Sequence, residues 1–266
     1  MNADVRSASL VEIDHDAYGV PGVVRLTMNR PDAFNALSEA LIDELQSALM
    51  ALVESDARVV VIAGAGRAFC AGHDLKEMRT APSLAYYQAL FARCAKLMLT
   101  IQRLPQPVIA RVHGIATAAG CQLVAMCDLA VAADTARFAV SGVNLGLFCA
   151  TPSVPLSRNL SRKAALEMLL TGDFIDAAQA RQQGLVNRIA PADALDAEVA
   201  RLAKSICAKP VEAVSAGKGL FYRQLEMGIE AAYQLAGQTM ACNMMDASAL
   251  EGVQAFIDKR PPDWKR

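Results

Sequence analysis

Two stretches of this chain repeat one local plan: a strand-like apolar run, a loop of glycine and small residues, then the start of a helix. The first is Val59-Val-Val-Ile-Ala-Gly-Ala-Gly-Arg-Ala-Phe-Cys-Ala-Gly-His-Asp-Leu-Lys-Glu-Met78. Val59 to Ile62 are all β-branched, which specifies a buried strand. Gly64, Gly66 and Gly72 allow the backbone to approach a ligand closely or to take φ > 0. Asp74 then opens a helix whose first turn offers unpaired N–H groups and a positive dipole end. The second stretch runs from Pro107 to Asp128, with strand residues Val108–Val112, a turn at Gly114 and small residues Ala116–Gly120 at a helix start. Small side chains there let a ligand reach the N–H groups. Gln122 falls three residues after Ala119, on the same helical face. Two N–H groups converging on one oxygen would make an oxyanion hole. The first stretch alone also reads as an ordinary strand-to-helix turn, and the second as tight helix packing through small residues. A dinucleotide fingerprint after Gly64-Ala65-Gly66 fails, because Phe69 stands at its third glycine.

His73 carries two readings. Its ring can serve as an acid or base facing a ligand; alternatively only its amide matters and the ring packs nearby. Ala213-Val-Ser-Ala-Gly217 approaches a nucleophile elbow but lacks the first glycine and the preceding strand. Cys70 and Cys149 lie near the candidate pocket and read as buried, inert thiols. Ser141 and Asn144 flank Gly142, where they either orient a water or serve turn chemistry.

The rest of the chain supplies the frame. Strands are expected at Leu10–Ile13, Val23–Met28, Arg58–Ala63, Val108–Val112, Leu129–Ala133, near Phe138 and at Leu185–Ile189. Ser38 caps a helix to about Glu54, and further helices are expected at Leu75–Arg79, Leu84–Gln102 and Ala118–Met126. Gly64–Asp74 and Ser141–Pro155 read as loops. Beyond them the pattern is helical: Arg162–Leu170, Ala177–Gln183, Ala194–Cys207, Val211–Met227, Ile229–Cys242 and Asp246–Asp258. Strands alternating with helices, then helices alone, imply an α/β core with a helical C-terminal part. No fixed-period repeat or low-complexity linker interrupts it.

Composition narrows the partners. With 54% hydrophobic residues and a net charge of −1, the chain is neither disordered nor charged enough to seek nucleic acid or anionic lipid. Seven scattered cysteines with no Cys-x-x-Cys pair imply reduced thiols in a reducing, cytoplasmic compartment. No metal spacing links them to His15, His73 and His113. Met1–Leu10 has no apolar core of a secretory signal. The apolar stretch Val108–Val140 is interrupted by Arg111, His113, Gln122, Asp128 and Asp134, so it reads as core rather than a membrane span.

Arg67-Ala-Phe-Cys-Ala-Gly-His-Asp-Leu-Lys-Glu-Met78, Val112-His-Gly-Ile-Ala-Thr-Ala-Ala-Gly-Cys-Gln-Leu-Val-Ala-Met-Cys-Asp128 and Glu251-Gly-Val-Gln-Ala-Phe-Ile-Asp-Lys-Arg260 together resemble the crotonase superfamily, that of the enoyl-CoA hydratases and isomerases. Ala71–Lys76 and Gly142–Cys149 look most like its enoyl-CoA hydratase domain-containing protein 3 type. The resemblance covers nearly the whole chain. It implies a spiral of ββα units over residues 1–205, a helical trimerisation region over 206–266, and homotrimers or dimers of trimers. The ligand would be an acyl-CoA thioester, with no cofactor beyond the CoA of the substrate and no metal. By position, the N–H groups of His73 and Ala119 would form the oxyanion hole. Ala33, Asn35 and Ala71 would lie along the CoA adenine, and Phe256 and Lys259 would help bind CoA, in some members from a neighbouring subunit. Leu84–Phe91, with Tyr86 and Tyr87, would cover the acyl group. Asp74, Leu75 and Gly142 complete the implied substrate-binding set.

The chain departs from the hydratase pattern at two places. Hydratases of this family carry glutamates where Gln122 and Gly142 stand, and use them to hold and activate the added water. A glutamine does not cycle protons in this range, and a glycine supplies no group. Isomerases manage with one carboxylate, yet neither position has one here. The remaining proton carriers are His73 or a water held by Gln122 and Asn144. The open alternatives are a catalytically silent CoA-ester-binding protein and an acyl-CoA thioester hydrolase.

Overall fold

A computed structural model describes residues 9–264. The reading of Met1–Leu10 as lacking a signal core therefore falls, up to residue 8, outside the described residues.

Strand β1 (Val11–Asp14) pairs antiparallel with β2 (Val23–Met28), and helix α1 (Glu39–Leu52) follows. Ser38 caps α1 by accepting from the Leu41 N–H, which is why the helix begins there. Three ββα turns come next. The first is β3 (Val59–Gly64), β4 (Ala68–Cys70), then α2 (Leu75–Met78) and α3 (Leu84–Arg103). The second is β5 (Val108–Val112), β6 (Ile115–Thr117) and α4 (Ala119–Met126). The third is β7 (Leu129–Ala133), β8 (Arg137–Ala139) and α5 (Ala150–Asn159), after a 3-10 turn over Ser141–Leu145.

The first strand of each turn joins a six-stranded sheet, β1-β2-β3-β5-β7-β10, and the second joins a four-stranded sheet, β4-β6-β8-β9. Between them α6 (Arg162–Thr171), β9 (Ile175–Asp176), α7 (Ala177–Gln183), β10 (Arg188–Ala190) and α8 (Leu195–Cys207) complete the core. Helices α9 (Val211–Leu225), α10 (Ile229–Met244) and α11 (Ala247–Ile257) form the C-terminal part. Residue 205 falls in the last turn of α8, and the chain leaves the core through Ala208–Pro210.

Parallel strands buried on both faces explain the solid apolar runs. On one face of the large sheet Val60, Ile62, Ala110 and Ala132 pack with α1, α3 and α4. On the other, Val59, Val61, Ile109 and Val131 pack on Leu195, Val199 and Ala203 of α8. Among the described residues no helix is long and apolar enough to cross a membrane.

Two sequence expectations are corrected. Gly64–Asp74 is not all loop: it contains β4, a strand of three residues that no periodicity reveals. Ser141–Pro155 contains most of the first two turns of α5, hidden by Pro152 and Pro155. Pro152 sits in the first helical turn, where a missing N–H costs nothing; Pro155 lies inside the helix and is held there by burial.

The C-terminal part is fastened to the core by one buried cation. The Lys218 ammonium of α9 donates to the carbonyls of Ile101 and Gln106, each at 2.9 Å, and to an oxygen of Asp128 at 2.6 Å. Asp128 also accepts from the Tyr222 hydroxyl at 2.8 Å and from the Val108 N–H at 2.6 Å. Burial works against both charges, raising the Asp128 carboxyl and lowering the Lys218 ammonium, while each ion opposes the other's shift. Three donors on the carboxylate and three acceptors on the ammonium leave neither unsatisfied.

The small sheet depends on its few large side chains. Phe138 in β8 is fully buried, and Phe138→Ala is expected to cost about 3–5 kcal/mol in denaturant unfolding. A loss below about 1 kcal/mol would mean that β8 packs less tightly than described.

Candidate functional site

The site lies where the first two ββα turns meet. Leu37 forms a parallel bridge with His73: the Leu37 N–H donates to the Gly72 carbonyl at 2.7 Å, and the Asp74 N–H donates to the Leu37 carbonyl at 3.2 Å. In extended backbone these groups alternate sides. The His73 N–H therefore points away from Leu37, and among the described residues it has no backbone carbonyl partner. Asp74 sets the helix start by accepting from the Lys76 and Glu77 N–H groups and pairing with Arg30 at 2.9 Å. Burial alone would raise its carboxyl, but Arg30 and the helix N–H groups outweigh this and hold it below the usual range.

Helix α4 supplies the second N–H. Ala119 is its first residue, so its N–H has no intrahelical partner, and it donates to no other backbone carbonyl among the described residues. The residues on either side are fixed: the Ala118 N–H donates to Ala139, and the Gln122 N–H donates to the Ala118 carbonyl, both at 3.0 Å. Gly72 joins the two loops. At φ +94° it sits in a region that side chains rarely adopt, and a methyl group there would lie 2.8 Å from the Ala118 Cβ and 3.3 Å from the Ala119 nitrogen. The peptide from Gly72 to His73 thus runs directly against the start of α4. Two N–H groups without backbone partners thus lie in loops that meet at Gly72.

Two polar side chains beside them, Gln122 and His73, hold atoms without partners. Gln122 is buried, and its Oε1 has no hydrogen-bond partner. Both ring nitrogens of His73 are buried without a partner, and the ring meets Phe91 edge-on at 5.5 Å. Burial lowers the His73 pKa from its ordinary 6.5, partly countered by the Leu37 carbonyl. Phe91 stacks on Tyr87 at 6.4 Å, and the Tyr87 hydroxyl donates to the Met78 carbonyl at 3.1 Å. Tyr86 lies against Tyr87, and its hydroxyl is raised by desolvation and by the Glu39 and Glu77 carboxylates. It is therefore Phe91 and Tyr87, not Tyr86, that connect to His73.

Other sequence candidates fall into distinct places. Asn35 is fully buried: it accepts from the Arg30 N–H at 2.9 Å and donates to Ala65 and Ala68 carbonyls, each at 2.8 Å. Its amide staples the β3–β4 loop and is not left for a ligand. Ala33 adjoins the next contact, in which the Ala71 N–H donates to the Phe34 carbonyl at 3.0 Å. Arg67 lies over the Phe34 ring at 4.3 Å. Leu75 is half exposed, Phe256 is 84% exposed, and Lys259 takes a left-handed φ of 54°. The Asn144 side chain is directed at Gly172 and is not brought together with Gln122 by any contact.

Gly142 is closed off. Its N–H donates to the Cys149 Sγ at 3.3 Å. A methyl group there would lie 2.5 Å from the Leu147 carbonyl oxygen and 2.7 Å from that sulfur. Thr117, missed from sequence, bonds its hydroxyl to that of Ser141 at 3.0 Å and ties the second loop to this turn. Among the described residues no group of His, Cys, Asp and Glu forms a metal cluster.

Ala118 holds φ 51° and ψ −121°, a conformation that costs a non-glycine residue about 1–3 kcal/mol. Ala118→Gly is expected to raise stability by about 1 kcal/mol, after the entropy that glycine loses on folding. Denaturation midpoints at unchanged slope will check it, and a destabilised variant would refute the strain. The His73 shift has a pH consequence. The unfolded ring protonates at higher pH than the folded one, so its contribution to stability is complete above about pH 6.5 and is lost as pH falls toward the folded value. Burial also lowers His113, so His73→Gln should flatten this slope without abolishing it. Identical unfolding free energies against pH in both proteins would assign the titration elsewhere.

The sequence profile of the enoyl-CoA hydratase/isomerase family matches residues 20–266. Mouse enoyl-CoA hydratase domain-containing protein 3, mitochondrial, is 44% identical over 91% of this chain and 81% of its own. The crystal structure of human enoyl-CoA hydratase domain-containing protein 3 superposes with a TM-score of 0.92 at 41% identity, over 96% of this chain and 100% of that one. An enoyl-CoA hydratase structure from Mycobacterium smegmatis superposes with a TM-score of 0.94 at 63% identity, over 96% and 99% of the two chains. The three ββα turns thus have close structural counterparts, and the chain belongs to the enoyl-CoA hydratase/isomerase family, with the crotonase fold.

Proposed function

We propose that this protein binds an acyl-CoA thioester and holds its carbonyl oxygen between the N–H groups of His73 and Ala119. The observation carrying this reading is that both groups are unpaired while their loops touch across Gly72. Such donors favour the enolate of a thioester over its ground state, and removing one typically costs about a hundred- to a thousandfold in rate. Two-carboxylate hydration finds no support here. Gln122 is an amide, and the space beside Gly142 is taken by the Leu147 carbonyl and the Cys149 sulfur. Proton transfer, where it occurs, is assigned to the neutral His73 ring or to a water held by Gln122. The neutrality of the site equally favours a second reading, a CoA-ester-binding protein without turnover; thioester hydrolysis is a third and is read out by free thiol.

The remaining assignments belong to the same proposal. Tyr233, Met240, Met245, Phe256 and Ile257 are each more than three-fifths exposed on α10, α11 and the adjoining turn. These uncovered apolar side chains support a homotrimer or dimer of trimers, in which Phe256 and Lys259 reach CoA. A reducing, cytoplasmic setting is supported by the free cysteines, of which Cys70, Cys94 and Cys121 are pushed up to about 12 by burial.

Gly72→Ala tests the oxygen site. The methyl group would wedge the loops apart while leaving the CoA contacts in place, so acyl-CoA turnover or thioester-dependent affinity should fall about a hundredfold. Crotonyl-CoA and a panel of saturated and 3-hydroxyacyl-CoAs, assayed for binding and turnover, will measure it. Unaltered behaviour of a folded Gly72→Ala protein would remove the two N–H groups from the function.

A further inference from the structure

Helices α3 and α4 both present their front ends to the site and their far ends to one ammonium. Phe91 of α3 touches the His73 ring, and Ala119 and Gln122 belong to the first turns of α4. About 15 Å further along α3, at 1.5 Å per residue, its Ile101 carbonyl accepts from Lys218. Just beyond the end of α4, Asp128 accepts from Lys218 and Tyr222. The linker between α3 and β5 is held by the same ammonium through Gln106, whose side chain donates to the Leu52 carbonyl at the end of α1 at 2.7 Å. The ammonium also complements the negative end of the α3 dipole.

Both cation and hydroxyl come from α9, outside the ββα core. We infer that Lys218, with Tyr222, is a positioning residue that couples docking of the C-terminal helices to the spacing of α3 and α4, and so to the two N–H groups that hold the thioester oxygen. This rests on the acyl-CoA reading above. Seating of α9 sets the far ends of both helices, and a packed interior transmits such a shift rather than absorbing it. The bonds to Ile101 and Gln106, which also satisfy the buried ammonium, bind α3 and its linker into the same junction as Asp128.

The test compares affinity for an acyl-CoA with that for free CoA, which has no thioester carbonyl. In Lys218→Met the preference for acyl-CoA should fall about tenfold, with affinity for CoA changed by less than about twofold. Exchange of the hydrogen-bonded amides of α4, residues 122–126, should quicken in the same variant. Tyr222→Phe, which keeps the ion pair, should show both effects in weaker form and carries the test if Lys218→Met does not fold. A purely structural anchor would lower both affinities together, or speed exchange only in α9 and α10, and either result overturns the inference. A wild-type protein with no preference for acyl-CoA over CoA would instead overturn the oxygen-site reading, and exchange at residues 122–126 would still decide the role of Lys218.

Discussion

The contact between Gly72 and the start of α4 sets what everything around it can do. Two backbone segments approach there more closely than side chains allow, so the first loop needs a residue without a Cβ and the second needs small ones. The parallel pairings β3 with β5 and β4 with β6 bring the loops to the same level. Asn35 fixes the β3–β4 loop from behind, and Arg30 with Asp74 fixes the helix start on its far side. Under the proposed reading, backbone groups placed this way would already be oriented when a ligand arrives, the condition under which hydrogen-bond donors act most strongly on a developing charge.

Several uncharged polar groups stand around that contact. An amide stands at Gln122, a carbonyl and an unionised thiol crowd Gly142, and the imidazole of His73 is kept neutral by burial against Phe91. Groups of this kind recognise polar atoms through fixed dipoles.

Much of this was legible in the residues. Val59 to Ile62, Ser38, Asp74 and the small residues of Ala116–Gly120 announce the strands, caps and close-packed helix start. Periodicity cannot register β4, β6 or β9, because two or three residues carry no repeat. Helix α5 was hidden by its prolines. Asn35 illustrates a different limit: its place in the motif was visible, but whether its amide faces a ligand or the β3–β4 loop depends on contacts some thirty residues away. Lys218 likewise reads as one more surface lysine until the fold carries it to Asp128.

The filled space beside Gly142 bears on how such a protein changes over generations. Placing an acidic side chain there is not a single-step alteration, because Leu147 and Cys149 already occupy its volume. The turn from Ser141 to Cys149 would have to be rebuilt before the new side chain could be tolerated. A larger side chain at this position therefore meets a barrier of ordering: the permissive change in the turn must come first.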